Sequence, residues 1–228
     1  MRSNPTSGVL SEAWGLYRAH WQHLLIVSAV IHVAVAILSA LLVALLGVAG
    51  ALISAILAIV AVFWVQGALT RAVQDIRDGR ADLSVGDTFR SVGDRVAPVA
   101  GASVLAGIAI AIGLLLLIVP GLILLTIWSL IVPVIVLERA GALASFGRSQ
   151  QLVRGNGWNV FGVVVLTFLV LIAFGIVLGI ILSPLPDEVQ NPLSNVVSGT
   201  LTTPFVALTW TLVYYRLHDL EAPAAPAA

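Results

Sequence analysis

The chain has 228 residues, of which 60% are hydrophobic and 10% charged, and its mean hydropathy is +1.08. A soluble domain usually carries about 25% charged residues, so this composition predicts an integral membrane protein. The formal net charge is zero, which gives no indication of a nucleic-acid partner. The absence of cysteine excludes disulfides, thiolate catalysis and cysteine-based metal sites.

Six apolar segments follow one another, each close to the roughly 20 residues that a helix needs to cross a bilayer core. The predicted spans are residues 24–47, 51–72, 99–119, 121–137, 158–183 and 195–217. The first is longer, and starts later, than the apolar core of a signal peptide, which has about 7–15 residues, so we predict a retained span. Residues 1–220 are predicted to form a single integral membrane domain, and the Pro- and Ala-rich residues 221–228 a disordered tail.

The distribution of basic residues predicts the orientation in the membrane. All eleven are arginines, and they occur only in alternate segments between the spans: the N-terminal arm, residues 71–95, residues 139–154 and the C-terminal end. Short loops rich in Lys and Arg stay in the cytoplasm. We therefore predict a multi-pass protein of the bacterial inner (plasma) membrane with both termini in the cytoplasm.

One unit is predicted to occur three times, an amphipathic cytoplasmic helix followed by a transmembrane hairpin. The three helices cover residues 11–23, 84–96 and 142–156. Around the first, Trp14, Tyr17 and Trp21 recur at helical spacing and share one face. A helix with aromatic residues on one side and arginine on the other lies in the membrane interface. The alternative is that these segments are ordinary helical loops packed on the bundle.

The three hairpins differ in their predicted turns. Gly47 and Gly50 flank the first turn. Pro120-Gly121 fits the central positions of a type II turn in the second. The third connection, residues 183–194, contains three prolines and is predicted to be the only external segment large enough to bind a ligand.

Arginine and tryptophan residues near the cytoplasmic membrane surface are the candidate contacts for anionic lipid headgroups or for a membrane-protein partner. They are Arg18, Trp21, Arg90, Arg95, Arg148, Arg154 and Trp158. Glu138 lies at the same edge of the membrane. We predict that it pairs with Arg148 or Arg154 as a structural anchor.

Polar residues inside the spans are the candidates for a polar cavity. They are His32 in the first span, Thr126 and Ser129 in the fourth, and Asn195, Ser198 and Thr202 in the last. An ionisable residue within the membrane is by default a candidate functional residue, although a hydrogen bond between helices explains His32 equally well. If the clusters of the fourth and last spans face each other, they line a cavity; otherwise they belong to the packed interior of the bundle.

No residue pattern predicts catalysis. The spans contain no acid–base pair, and the sequence has no phosphate-binding glycine loop, nucleophile elbow or metalloprotease motif. His20 and His23 are placed to share a helix face, but no carboxylate cluster beside them completes a metal site. We therefore predict no catalytic residue, no metal and no cofactor.

The second half of the chain carries an extended motif. Pro120-Gly121 is followed by Trp128-Ser129, Pro133 and Glu138, then by Arg148-Ser149 and by Arg154-Gly155-Asn156-Gly157-Trp158. The motif resembles the bacterial glycerophosphoryl diester phosphodiesterase membrane-domain family, and residues 12–18 and 84–90 also fit that family. The resemblance implies a membrane architecture without a hydrolase, because in that family the membrane region precedes a soluble phosphodiesterase barrel for which these 228 residues leave no room.

The sequence therefore predicts an all-α, polytopic membrane helix bundle of six transmembrane helices in three hairpins. The leading functional hypothesis is a non-enzymatic protein that binds or organises lipid, or partners another membrane protein, through its Arg- and Trp-rich cytoplasmic face. The alternative hypothesis is a small transporter or lipid translocator that uses the polar faces of the fourth and last spans, since internal repeats are common in transporters.

Overall fold

The computed structural model describes residues 5–79 and 84–221. It is 88% helical, and the described residues contain no strand. The helices are α1 (Val9–Ala19), α2 (Trp21–Leu46), α3 (Val48–Arg77), α4 (Val85–Arg90), α5 (Val96–Leu116), α6 (Ile118–Ile127), α7 (Ile131–Leu137), α8 (Ala142–Val153), α9 (Gly157–Leu182) and α10 (Asp187–Glu221). The predicted tail lies outside the described residues except for Glu221, which ends α10; Arg2 and Arg80 also lie outside them.

Six helices are long and apolar enough to cross a membrane, which confirms the all-α multi-pass fold. They cover Trp21–Leu46, Val48–Arg77, Gly86–Leu116, Ile118–Leu137, Gly157–Leu182 and Glu188–Glu221. The outer faces of α2 and α3 are apolar and exposed, with Ile37 at 66% and Leu45 at 71%. Apolar surface of this extent on a helix bundle is suited to contact with lipid tails rather than with water.

Helix α10 is the central element of the bundle, packing against α1, α2, α3 and α9. Its side chains Leu208, Leu212 and Leu217 are fully buried, and Leu69 of α3 and Ile135 of α7 belong to the same core. Helices that are adjacent in sequence also pack together, α2 on α3 and α5 on α6. The stronger prediction, three equivalent hairpins each preceded by a cytoplasmic amphipathic helix, stays a prediction.

The connection between α2 and α3 consists of one residue, Gly47. Its φ of 56° lies in the region that favours glycine. A Cβ on Gly50 would overlap the backbone carbonyl of Leu42, so the two helices approach this closely only because Gly50 has no side chain. Gly47 and Gly50 therefore allow the tight turn between the first two spans that the sequence predicted.

The predicted Pro120-Gly121 turn is wrong. The chain turns earlier, at the extended residue Leu117 (φ −156°, ψ 131°), and α6 already begins at Ile118. Pro120 therefore occupies the first turn of α6, where the missing N–H has no helical acceptor to lose. Gly121 is buried inside the same helix.

The prediction of a long external segment at residues 183–194 is also wrong. Helix α10 begins at Asp187 and contains Pro192, so only residues 183–186 connect it to α9. Glu188 lies in its first turn, where a carboxylate is stabilised by the helix dipole, and the Pro186 carbonyl accepts hydrogen bonds from the Val189 and Gln190 amides. The prolines mark a helix start here and not a loop.

The second predicted amphipathic helix is interrupted. Ser84 caps α4, since its hydroxyl accepts a hydrogen bond from the Asp87 amide at 3.1 Å. The helix ends at Arg90, however, and a short 3₁₀ turn (Gly93–Arg95) joins it to α5. Residues 84–96 therefore form a bent connection and not one continuous helix.

The fourth span is broken at Trp128, Ser129 and Leu130, between α6 and α7. Pro133 has no N–H, so the carbonyl four residues earlier lacks its helical partner. Ser149 of α8 joins the two broken ends: its hydroxyl donates to the Ile127 carbonyl at 2.7 Å and accepts from the Leu130 amide at 3.3 Å. A broken helix is tolerated at membrane depth when neighbouring groups satisfy its backbone in this way.

Candidate functional site

A groove runs along the outside of the bundle between α6, α8 and α9, and we call it the α6–α9 groove. Its head pocket, of about 720 Å³, is lined by Ile127, Gly147, Gln150, Gln151, Val153, Arg154, Gly155 and Gly157. Its tail channel, of about 560 Å³, is lined by Val119, Leu122, Ile123, Thr126, Ile127, Gly155, Asn156, Gly157, Trp158, Asn159 and Phe161. The two parts share Ile127, Gly155 and Gly157, so the pocket that carries Gln150, Gln151 and Arg154 opens directly into a more apolar channel.

The corner between α8 and α9 forms the mouth of this groove. Helix α8 ends at Val153, Arg154 leaves it in an extended direction (ψ 130°), and Gly155 turns the chain with a φ of 83°. Helix α9 then begins with Asn156 as its N-cap, and the Asn156 side chain makes no capping hydrogen bond. The first amides of this 26-residue helix therefore keep the positive end of the helix dipole at the groove mouth.

Arg154 is the cation of the head pocket. Its side chain is exposed, and no acidic group in the described part of the chain forms an ion pair with it. The nearby acids are already occupied: Glu138 and Glu221 both pair with Arg148, at 2.8 and 2.7 Å. Arg154 is therefore free to neutralise an external anion.

Arg148 has a structural role that differs from its predicted lipid contact. Its hydrogen bonds to Glu138, and then to Glu221, raise the pKa of its guanidinium above the ordinary value. The Tyr214 hydroxyl also donates to Glu138, at 3.0 Å. This network joins α7, α8 and α10 and contains Glu138–Arg148, one of the two ion pairs predicted for Glu138. It leaves little of the Arg148 guanidinium available to a lipid.

The remaining predicted contacts are spread over the same end of the bundle. Trp158 is 86% exposed and lies in the tail channel, while Arg18 and Trp21 are exposed at the junction of α1 and α2. Arg90 is exposed and within 3.5 Å of Asp87. Arg95 is half-buried and within 3.2 Å of Asp94. The structure thus brings only Arg154 and Trp158 together in the groove.

His32 lies at a contact between α2 and α10. Its Nδ1–H donates to the Ser28 carbonyl at 2.8 Å, and the Ser28 hydroxyl donates to the Gly199 carbonyl of α10 at 3.4 Å. The imidazole packs so closely on Gly199 that a Cβ there would overlap it. This arrangement matches the alternative considered for His32, a hydrogen-bonded contact between helices.

The two polar clusters that were candidates for one cavity line different grooves. Thr126 lies in the tail channel. Thr202 lies in a groove of about 510 Å³ between α1, α9 and α10. Their hydroxyls donate to carbonyls of their own helices, those of Leu122 and Ser198, each at 2.7 Å.

The other members of these clusters do not connect them. The Ser129 hydroxyl donates to the Thr126 carbonyl at 2.9 Å. Asn195 is exposed and Ser198 is partly buried, both on α10. These contacts give no support to the possibility, left open by the sequence, that the two clusters line one shared cavity.

Sequence reasoning missed several residues of the α6–α9 groove. Gln150, Gln151, Asn159 and Phe161 line the groove but were not among the predicted site residues. The available signal was the run from Arg154 to Trp158, which marks the corner between two helices. Among the described residues, no group of three or more His, Asp or Glu side chains could hold a metal ion.

The fold defines a multi-pass, all-α membrane protein whose candidate site is a groove with a cationic mouth. A family model, described as a domain of unknown function (DUF7847), matches residues 83–217. This is more than half of the chain, so the protein belongs to that family, and the matched region contains all three helices of the groove. No curated protein and no solved structure matches the chain.

Proposed function

We propose that this protein binds a membrane lipid with an anionic headgroup in the α6–α9 groove, without catalysing a reaction. The observation that carries the proposal is the exposed Arg154, which has no ion-pair partner among the described residues and lies where the head pocket, lined also by Gln150 and Gln151, opens into the apolar tail channel. A phospholipid has the same sequence of properties, an anionic head followed by apolar tails.

The neighbouring groups support this assignment. Gln150 and Gln151 offer neutral hydrogen-bonding groups to a headgroup, and the uncapped start of α9 adds a favourable dipole. Trp158 is amphipathic and exposed, a residue type enriched at the membrane–water interface. Ile123 and Phe161 continue the groove as apolar surface for an acyl chain.

The orientation and location are part of the same proposal. The arginine distribution supports a bacterial inner membrane protein with its arginine-rich end and both termini in the cytoplasm. Anionic lipids give that leaflet a negative surface potential, which attracts juxtamembrane arginine. A partner protein that uses the same face would compete with the lipid for Arg154.

The resemblance to the glycerophosphoryl diester phosphodiesterase membrane domain is also kept as a proposal. Its motif residues lie together in this fold: Ser149 bridges the break after Ile127, and Arg148 pairs with Glu138. A solved structure of such a membrane domain tests the relationship. It should contain the same serine bridge across a broken fourth span, and an unbroken span there would count against common ancestry.

The transporter hypothesis has less support. It requires a continuous polar path, whereas the polar clusters lie in separate grooves and their threonine hydroxyls bond to their own helices. His32 is also engaged between α2 and α10. Lipid binding is therefore the function that the geometry supports best.

The test is native mass spectrometry of the full chain released from detergent with a mixture of phosphatidylglycerol and phosphatidylethanolamine. Arg154→Ala should lose bound phosphatidylglycerol by about tenfold, because it removes the arginine that lines the pocket and has no ion-pair partner among the described residues. Arg18→Ala is the matched control, since it removes an equally exposed arginine from the same end of the bundle but outside the groove. Equal losses in both variants would show only general attraction to a basic surface and would overturn the groove assignment.

A further inference from the structure

Three arginines converge on the far side of the arginine-rich end, outside the α6–α9 groove. They are Arg71 at the end of α3, Arg95 at the start of α5 and Arg139 just after α7. The three helices pack against one another. Arg95 and Arg139 are close enough to repel the Arg71 guanidinium electrostatically, and Arg95 Nη1 donates to the Arg139 carbonyl at 3.2 Å.

The guanidinium groups of this cluster are incompletely satisfied by the described residues. Arg71 Nε is buried without a hydrogen-bond partner among the described residues, whereas Arg95 Nε lies 3.2 Å from a carboxylate oxygen of Asp94. Arg71 Nη1 bonds to Gln74, a neutral amide, and Arg139 forms no ion pair in the described part of the chain. A buried donor without a partner is destabilising, so a ligand that accepts a hydrogen bond from Arg71 would be stabilised.

The backbone of Arg139 is an additional sign of a constrained site. Its φ of 58° makes it the one non-glycine residue with a positive φ among those described. Such a conformation is strained for a residue that has a side chain, and residues of this kind concentrate at ligand clamps and active sites. Glycine is the usual residue at this position after a helix, so a requirement for the arginine side chain would explain its presence.

The charge balance indicates the class of ligand. Asp94 pairs with Arg95 at 3.2 Å, and no ion pair forms at Arg71 or Arg139 among the described residues, so these three arginines and Asp94 leave a net charge of +2. A phosphomonoester carries about −1.5 to −2 charges at pH 7 and three acceptor oxygens, whereas a phosphodiester carries one. Arginine guanidinium groups match phosphate oxygens in geometry as well as in charge.

We infer that Arg71, Arg95 and Arg139 form a second, separate site that binds a phosphomonoester group. The group could belong to a lipid such as phosphatidic acid or to a soluble phosphate compound. The site uses α3, α5 and α7, while the proposed lipid groove uses α6, α8 and α9. Either site can therefore exist without the other.

The test is thermal stability of the full chain in detergent, with inorganic phosphate as the soluble probe and mixed micelles of phosphatidic acid as the lipid probe. Phosphatidylglycerol micelles serve as the phosphodiester reference. Stabilisation by both phosphate probes assigns the site to the phosphomonoester group itself, and stabilisation by phosphatidic acid alone assigns it to a lipid. A failure of both probes to exceed phosphatidylglycerol overturns the inference.

Arg139→Gly is the decisive variant, because glycine accepts the positive φ and the unliganded protein should remain at least as stable. Its affinity for the stabilising probe should fall by about tenfold or more. Arg154→Ala should leave this affinity unchanged while losing the lipid of the α6–α9 groove, so failures of the two proposals are distinguishable. Binding to Arg139→Gly at the wild-type level would also overturn the inference.

Discussion

The Ser149→Ala variant tests whether α8 stabilises the broken fourth span. The Ser149 side chain is fully buried and makes two hydrogen bonds across the break, to the Ile127 carbonyl and from the Leu130 amide. Alanine keeps the helix α8 and the packing but removes both bonds. The Leu130 amide and the Ile127 carbonyl then lose these partners, and Leu130 is itself fully buried.

The expected loss of stability follows from these two bonds. Hydrogen bonds between membrane helices contribute on average about 0.6 kcal/mol and at most about 1.7 kcal/mol. Leaving a buried amide unsatisfied costs about 1–3 kcal/mol. We therefore expect Ser149→Ala to reduce the free energy of unfolding by about 2 kcal/mol.

Ser145→Ala is the matched control for this prediction. Ser145 lies on the same helix and is equally buried, but its hydroxyl donates only to the Ala142 carbonyl of that helix. Its replacement should change the stability by about 0.5 kcal/mol or less, because alanine also has the better helix propensity. Reversible unfolding in mixed detergent micelles measures both variants, and equal effects would refute the bridging role of Ser149.

Two further predictions concern glycines at close contacts. Gly199→Ala should destabilise the protein by about 1–3 kcal/mol because the new methyl group overlaps the His32 ring; adding His32→Ala should recover part of that loss, and strictly additive effects would contradict the contact. Gly50→Ala should be more destabilising than Gly175→Ala, since a Cβ overlaps the Leu42 carbonyl at the first position and meets no atom within 4 Å at the second. Melting temperatures in detergent decide both comparisons, and a Gly175→Ala variant as unstable as Gly50→Ala would contradict the second.

The membrane fold was predictable because a helix that crosses a membrane satisfies most of its backbone hydrogen bonds internally and exposes apolar side chains to lipid. The fourth span is the exception, since Ser149 of α8 bridges its break. Hydropathy and length therefore identified all six spans, with boundaries close to those of the helices. The positions of turns were less predictable. A proline is accepted in the first turn of a helix as readily as in a loop, which is why Pro120 was assigned to a connection although it lies in α6. Pro192 was also assigned to a connection, but it lies inside α10 beyond the first turn.

The candidate site was predictable in composition but not in geometry. Arg148 and Arg154 are six residues apart in sequence and were treated as equivalent. They differ because Glu138 and Glu221, which are distant in sequence, both reach Arg148. Only the tertiary structure shows which arginine is neutralised within the protein and which remains free.

Photo-cross-linking tests the proposed lipid groove most directly. The full chain would be placed in bilayers that contain an anionic lipid with a photoactivatable acyl chain, and the labelled peptides identified by mass spectrometry. The groove predicts concentrated labelling of α6 and the start of α9, around Ile123 and Phe161, and its loss in Arg154→Ala but not in Arg18→Ala. Labelling of these segments no stronger than that of the exposed apolar face of α2, around Ile37 and Leu45, would contradict the proposal.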